Sequence, residues 1–589
     1  MVLATMHNSL RVAAVLGAAM VLQACTTLGV GKGAYPDVQQ LGAVDQPGVE
    51  LWRGLDAGDG RVWAAYYPNR SALMLNGPDG RVRALVSGVD EAPSGLALAP
   101  AGDDVWTAFR SKEPVRGLYV ANSATPAVHH EVAGDSLPLA RVQMAPRGDG
   151  GARLLWYGEK PEAELPGQPH WIYYNEIDRT GKPGAVERVM PGIYPTWITP
   201  ADGGVAAFSW YRDAAGDKIA MRYRPADGAF GKEVEVAKVP PVAPPMAAFA
   251  SGGRWFVYWV AQHGDQKDDF LVEGAYSDDR GAHWQRFALE GLRGLDVRGI
   301  DAAGNGDGRI AFVVTGHYRN QGAAARVGAY LVQSADNGQT WAEPLSLRDP
   351  AITYAQAPNA KVAFVGKERP RLLVLVEDWR QIRSGIRYWL EGAAPSTWAV
   401  KDAPLDLDPA LNYQIGYADQ TIYSAGDRLN VLLERLGDNL YDREIVKFSL
   451  PVEELAAGVQ GRSGPAPDLE RLKARVNAYG AALVKNDYKA AYDLYDPFYR
   501  ARVSFDEHAR ALGRVQYKVA EYKDSEAVGS LAGVKFHIVA EVPKFRTATG
   551  KEVEAVERDV DIPVRWVWLD GDWYMEDFSE ARGLRFTKY

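Results

Sequence analysis

The stretch Tyr276-Ser277-Asp278-Asp279-Arg280-Gly281-Ala282-His283-Trp284 returns 57 residues later as Gln333-Ser334-Ala335-Asp336-Asn337-Gly338-Gln339-Thr340-Trp341. Both copies contain Ser-x-Asp-x-Gly-x-x-Trp. The short oxygen-bearing side chains of Ser277/Ser334 and Asp279/Asp336 suit a tight turn, because they can accept hydrogen bonds from nearby backbone amides. Gly281 and Gly338 suit a positive φ. Trp284 and Trp341 then open a strand and offer a large ring for packing between sheets.

Outward from these two copies the same module recurs in weaker form. Each begins with an apolar strand and a Gly/Asp turn. A second strand rich in Trp, Phe, Val and Tyr follows, then a variable loop, a third strand, a polar turn and a fourth strand. The second strands are expected at 61–67, 104–109, 152–157, 204–211, 254–260, 309–315, 371–376 and 428–433. Degenerate turns fall at 78–80, 178–181, 226–228 and 391–398. Eight modules between about 49 and 450 give about 50 residues each, the size of a four-stranded propeller blade. Seventeen Trp, 29 Tyr and 60 Gly suit short strands and many turns. The expected fold is mainly β: a multi-bladed β-propeller, eight blades favoured, with six or seven if modules merge.

The paired motif resembles the Asp box, or bacterial neuraminidase repeat, of sialidase-like propellers. That resemblance implies a structural role for Ser277, Asp279, Gly281, Trp284, Ser334, Asp336, Gly338 and Trp341. In that family the box lies on the third-to-fourth-strand turn, opposite the ligand face. Activity in the family needs three arginines for the substrate carboxylate, a Tyr nucleophile with a Glu, and an Asp acid/base. Its first arginine lies in Phe-Arg-Ile-Pro. The corresponding stretch here is Trp52-Arg53-Gly54-Leu55, which differs at three of four residues.

After position 456 the character changes. Residues 457–467 read as a linker by their Gly, Pro and Ser content. Asp468 is placed as a helix N-cap. Leu469, Leu472, Val476, Tyr479 and Leu483 recur at steps of three and four, one face of a helix. Further helices are expected at 488–495 and 505–512, and strands at 516–522, 534–542, 560–568 and 573–578. This order, helices and then a curved sheet, resembles the nuclear-transport-factor-like (cystatin-like) α+β cone over 468–589. Asp487, Tyr495, Tyr499 and Trp566 are the residues that would line it; hydrophobic packing explains the aromatic ones without a ligand.

The single cysteine of the 589 residues is Cys25, preceded by Val21-Leu22-Gln23-Ala24. Arg11 and an apolar run shorter than a membrane span lie ahead of it. This resembles a lipoprotein signal peptide (1–24), implying acylation of Cys25. Thr26, rather than Asp, follows it, which in that class points to the outer membrane. Residues 25–46 read as a lipidated flexible tether, and 47–456 as the propeller. The net charge of −9, or −10 without 1–24, argues against nonspecific nucleic-acid binding.

No Cys cluster, paired metal-ligand motif or Walker loop appears, so no cofactor or metal is expected. The informative chemistry lies at the ends of the second strands, where aromatic or acidic residues sit beside cations. The expected ligand face comprises Arg53, Tyr67, Arg70, Arg110, Trp156, Tyr157, Trp210, Tyr211, Arg212, Trp259, His263, Tyr318, Arg319, Trp379, Arg380 and Arg435. Arg forks hold carboxylates and aromatic rings stack on sugars; equally, Arg stems cover aromatic rims without any ligand. Glu377 and Asp378 are the acid/base pair if one is raised in pKa, and otherwise solvated rim acids. The preferred reading is a membrane-anchored envelope lipoprotein whose propeller binds a glycan or protein partner without catalysis. The alternatives are a sialidase-like exo-glycoside hydrolase and an assembly factor for an envelope complex. Oligomeric state stays open.

Overall fold

The computed structural model describes residues 38–576 except 45–51, 57–60, 69–71, 89–93, 113–114, 135–138, 159–169, 200–202, 241, 264–268, 319–326, 348–354, 357–358, 381–382, 393–402, 405–411, 416–421, 437–442, 456–466, 513–514, 529–530, 547–551 and 570. Cys25 and the segment expected to be its signal peptide lie outside the described residues.

Eight antiparallel sheets follow one another along the chain. Their second strands are Val62–Tyr66, Asp104–Ser111, Ala152–Gly158, Val205–Asp213, Arg254–Gln262, Ile310–Tyr318, Arg371–Arg380 and Arg428–Leu436. Each falls on an expected module. These strands are covered on both faces, which is why they read as continuous apolar runs instead of alternating ones. Residues 254–261 are buried without a break.

Eight buried apolar clusters occupy eight seams, each shared by two successive blades. The last cluster joins blade 8 to blade 1 through Leu41, Trp52, Tyr66, Tyr423 and Leu432, so the ring closes. The chain is an eight-bladed β-propeller with a C-terminal α+β region.

Closure corrects one expectation. Val38–Val44, within the segment read as tether, is a strand: it pairs antiparallel with Arg443–Pro451 as the outermost strand of blade 8. Leu41 is 2% exposed. Gly42 lies so close to Tyr66 of blade 1 that a Cβ would meet that ring at 2.4 Å. Asn76 Nδ2 donates to the Leu41 carbonyl at 2.5 Å. Sheet pairing and burial hold this strand, and neither is visible from its own seven residues.

The C-terminal region has helices α1 (Leu469–Val484), α2 (Tyr488–Asp493), α3 (Pro497–Arg502) and α4 (Phe505–Leu512). The short α3 was not expected. Asp468 caps α1 by accepting from the Glu470 amide. Ser504 and Glu507 form a reciprocal capping box at α4. Strands Gln516–Val528, Leu531–Val542, Val556–Leu569 and Asp572–Glu576 make one antiparallel sheet. Tyr495, Tyr499 and Trp566 are buried in its core. Tyr495 stacks on Tyr499 at 4.3 Å, and its hydroxyl lies 3.0 Å from that of Tyr479. Asp487 is corrected from a lining residue to the exposed N-cap of α2, accepting from the Ala490 amide.

Candidate binding face

Strand direction decides what each face of the propeller carries. A blade's first strand starts where the chain arrives from the previous blade. Blade-to-blade links therefore share a face with the second-to-third loops, here termed the link face. The first-to-second and third-to-fourth turns share the other.

Both full boxes lie on that second face: Ser277 ends the third strand of blade 5, and Ser334 that of blade 6. Ser277 Oγ accepts from the Gly281 amide at 2.8 Å, and Asp279 accepts from the His283 amide at 2.8 Å. Ser334 and Asp336 repeat this with Gly338 and Thr340 at 2.8 and 2.9 Å. Gly281 and Gly338 have φ of 84° and 83°. Trp284 donates to the Gly281 carbonyl and meets Phe208 edge-on; Trp341 packs on Phe287 and Phe312. Hydrogen bonds from the His283 backbone and ring hold the Asp279 carboxyl at about 2, and those from Thr340 do the same for Asp336.

Recurring arginines, absent from the expected site, brace this face. Arg61 pairs with Asp103 of blade 2 at 2.7 Å. Arg254 grips Asp278 and donates to the Asn337 carbonyl in the next blade's box. Arg309 NH2 reaches both oxygens of the buried Glu391 in blade 7, at 2.5 and 2.6 Å. The signal was legible: several modules open their second strand with Arg.

The link face has a different recurring feature. The first strand skips register between Ser94/Ala97, Ala140/Gln143, Ile193/Thr196, Ala243/Met246 and Val297/Gly299 in blades 2 to 6. In blades 7 and 8 it is split into two pieces. Bulges re-aim side chains and leave residues without ladder partners.

The expected ligand-face residues are spread around this rim. Tyr67, Trp156, Tyr211 and Trp259 are 4%, 0%, 6% and 0% exposed and belong to the seams, which takes them off the open face. Trp210 packs against the blade 4–5 seam. The Tyr211 hydroxyl donates to Glu233, and burial and then this carboxylate push its pKa up to about 12. Arg212 is exposed and grips Asp217 through Nε and NH2 at 3.1 and 2.6 Å. Glu273 accepts from Trp259 Nε1 at 3.1 Å and Arg286 at 2.6 Å, and lies 2.9 Å from His263 Nε2. Arg435 pairs with Glu444. Arg53 donates to the Trp52 carbonyl at 3.0 Å. Arg110 is half-buried opposite Ser94. Tyr157 meets His170 edge-on, as Tyr318 meets Tyr330. Arg70, Arg319 and the side chains of Asp378, Trp379 and Arg380 lie outside the described residues.

Glu377 is fully buried, which corrects the solvated-rim reading. Its Oε2 accepts from Asn359 Nδ2 at 2.9 Å and from the Ile415 amide of blade 8 at 3.2 Å, tying two split first strands together. The acids Glu233, Glu273 and Glu444 escaped sequence reasoning. Arg212/Asp217, Trp259/Glu273 and Arg435/Glu444 are directly opposed cross-strand pairs, so hairpin register was the missing signal.

A Tyr–Glu contact with three arginines does exist. The Tyr174 hydroxyl donates to Glu176 at 2.5 Å, with Arg147, Arg153 and Arg224 at 3.3, 3.6 and 3.6 Å from that carboxylate. It lies at the Asp-box end of the third strand of blade 3, and Asp149 and Glu187 take up the remaining charge. Burial first, then Glu176, raises the Tyr174 pKa, the opposite of what a nucleophile needs.

No protein-family model and no curated protein sequence matches the chain. Among solved structures it is similar to the NanB sialidase of Streptococcus pneumoniae (11% identity, 73% of this chain and 72% of that one, TM-score 0.32). It is also similar to the polysaccharide lyase Uly1 (12% identity, 73% and 95%, TM-score 0.39). A third is the propeller domain of the Trilobed protease from Pyrococcus furiosus (11% identity, 62% and 97%, TM-score 0.34).

Proposed function

We propose that this protein is an envelope lipoprotein, acylated at Cys25, whose link face binds an anionic glycan or an acidic protein segment without covalent catalysis. The observation that carries binding is the repeated break of the first strand at the link-face end of seven blades, which leaves main-chain and side-chain groups unpaired by the sheet. Two Tyr–Glu contacts among the described residues support a non-catalytic reading. One lies on the Asp-box face, and in both the tyrosine is held protonated by burial.

The test uses the full chain in detergent micelles on an array of neutral and anionic glycans, alongside fluorogenic glycosides. Retention of anionic glycans without turnover supports the proposal. Sialoside turnover abolished by Arg53→Ala overturns it in favour of a glycoside hydrolase. Loss of labelled palmitate on Cys25→Ala tests the anchor separately.

A further inference from the structure

We infer that the Asp-box ends of blade 8 and of the neighbouring blades 1 to 3 form the surface that this protein lays against a lipid bilayer. This rests on the acylation of Cys25 proposed above.

Strand direction places both exits of the propeller on one face. Arg443–Pro451 is the third strand of blade 8, and it runs from the Leu436/Arg443 pair at the link face to the Arg428/Pro451 pair at the Asp-box face. Val38–Val44 lies antiparallel beside it, with Val44 opposite Arg443 and Val38 opposite Phe448. The chain arriving from Cys25 therefore enters blade 8 at its Asp-box end. Beyond Pro451 the chain stays on this side. The Val452 amide donates to the Asp427 carbonyl at 2.9 Å, and the Leu455 carbonyl accepts from the Tyr388 hydroxyl at 3.0 Å. Val452 and Leu455 are buried in the blade 7–8 seam, and the connection to the α+β region starts from there. Neither connection departs from the link face.

Chain length then favours one orientation. Thirteen residue steps separate Cys25 from Val38. They reach at most about 45 Å fully extended and about 20 Å as a coil. A blade strand of nine residues, such as Arg254–Gln262, stands about 30 Å tall. Bringing the link face to the lipid would stretch the connection along that whole height, at a cost in chain entropy; the Asp-box face meets the lipid with the connection relaxed. The surface there suits a headgroup layer. Val82, Val128 and Val186 are 50%, 48% and 39% exposed, and each stands at or near the Asp-box end of the fourth strand in blades 1, 2 and 3. Arg81 adjoins Val82, and Arg179 and Lys182 share the turn that leads to Val186; all three cations are exposed. The acids of these turns, Asp79 and Asp178, are taken up by Arg83 and by turn amides. Aliphatic groups beside cations fit the boundary between anionic headgroups and acyl chains.

The test uses the full acylated chain in vesicles of phosphatidylethanolamine and phosphatidylglycerol that carry a nickel-chelating lipid, which quenches a nearby fluorophore. Acylation consumes the one native thiol, so a single introduced cysteine takes the only label. Ala124→Cys places it on the exposed Asp-box turn of blade 2. Val115→Cys places it on the link-face loop of the same blade, between Asp104–Ser111 and Gly117–Asn122. The Ala124→Cys label is expected to lose most of its fluorescence and the Val115→Cys label to keep most of it. Equal quenching, or stronger quenching at Val115→Cys, overturns the surface. Val82→Ser, Val128→Ser and Val186→Ser combined should restore part of the Ala124→Cys signal, with thermal unfolding as the check on folding. Unchanged quenching in that variant overturns the lipid contact. The two proposals fail separately. A wild-type chain that takes up no labelled palmitate removes the anchor. An acylated chain with equally quenched labels keeps the anchor and removes this surface.

Discussion

The two faces of the propeller use the same blades in opposite ways. On the Asp-box face the chain closes on itself. Ser277 and Ser334 satisfy their own turn amides, and Arg61, Arg254 and Arg309 each reach into the following blade. On the link face the first strands break step in blades 2 to 6 and split in blades 7 and 8. Rim cations there are met mostly by an acid of their own blade, as with Arg212/Asp217 and Arg435/Glu444. Blade-to-blade ties occur on the link face too, where Glu377 accepts from the Ile415 amide and Glu434 from Trp52 Nε1, but they run through buried acids instead of recurring arginines.

Several experiments would break or sharpen this contrast. The largest effect belongs to the strand that serves both faces by closing the ring. A chain starting after Gln46 lacks Val38–Val44, exposes the blade 8 edge and loses the Leu41 and Asn76 contacts. We expect a loss of about 5 kcal/mol or more, read by denaturant unfolding, with faster proteolysis. A chain starting at Asp37 should keep wild-type stability; if both chains unfold alike, closure does not brace the ring.

Next is the Asp-box-face bracing. Glu391→Ala leaves the Arg309 guanidinium without its buried partner and should cost about 3 kcal/mol, with glycan retention on the link face unchanged. A loss of retention at equal folded fraction would show that the faces are coupled.

The boxes themselves should matter less. Ser334→Ala removes the acceptor for the Gly338 amide and should cost about 1 kcal/mol. The pH dependence follows from the depressed carboxyls. Asp279 and Asp336 are held at about 2 in the fold, below the ordinary value, so their contribution is complete above pH 4. It is lost as pH falls through 2. Asp279→Asn with Asp336→Asn should flatten the stability profile between about pH 4 and 2, measured by thermal unfolding. The smallest stability effect is expected for Arg298→Ala in the blade 6 bulge, within about 0.5 kcal/mol, since the side chain is largely exposed.

Much of the fold was legible locally. The second strands announce themselves as apolar runs between turn residues, and the observed strands begin within about a residue of where those runs do. The helices of the C-terminal region follow from a three-four period and a capping Asp468. The binding face was far less legible. Trp156 turns into the blade 2–3 seam and its neighbour Tyr157 packs against the blade 3–4 seam, because parity along a strand assigns neighbours to opposite sides of a blade that is covered on both. Arg298 carries no motif; the bulge that exposes it is defined only against its partner strand.

From its own residues, then, the chain declares a repeat of four-stranded modules, the turns that end them and an α+β region behind. Those are properties of short windows, governed by backbone propensity and side-chain spacing. Tertiary structure alone decided that Val38–Val44 crosses about 400 residues of sequence to seal blade 8, that eight seams close one ring, and that both ends of the propeller leave blade 8 on one face. Such pairings depend on register and strand parity between segments far apart in sequence, and no local window contains them.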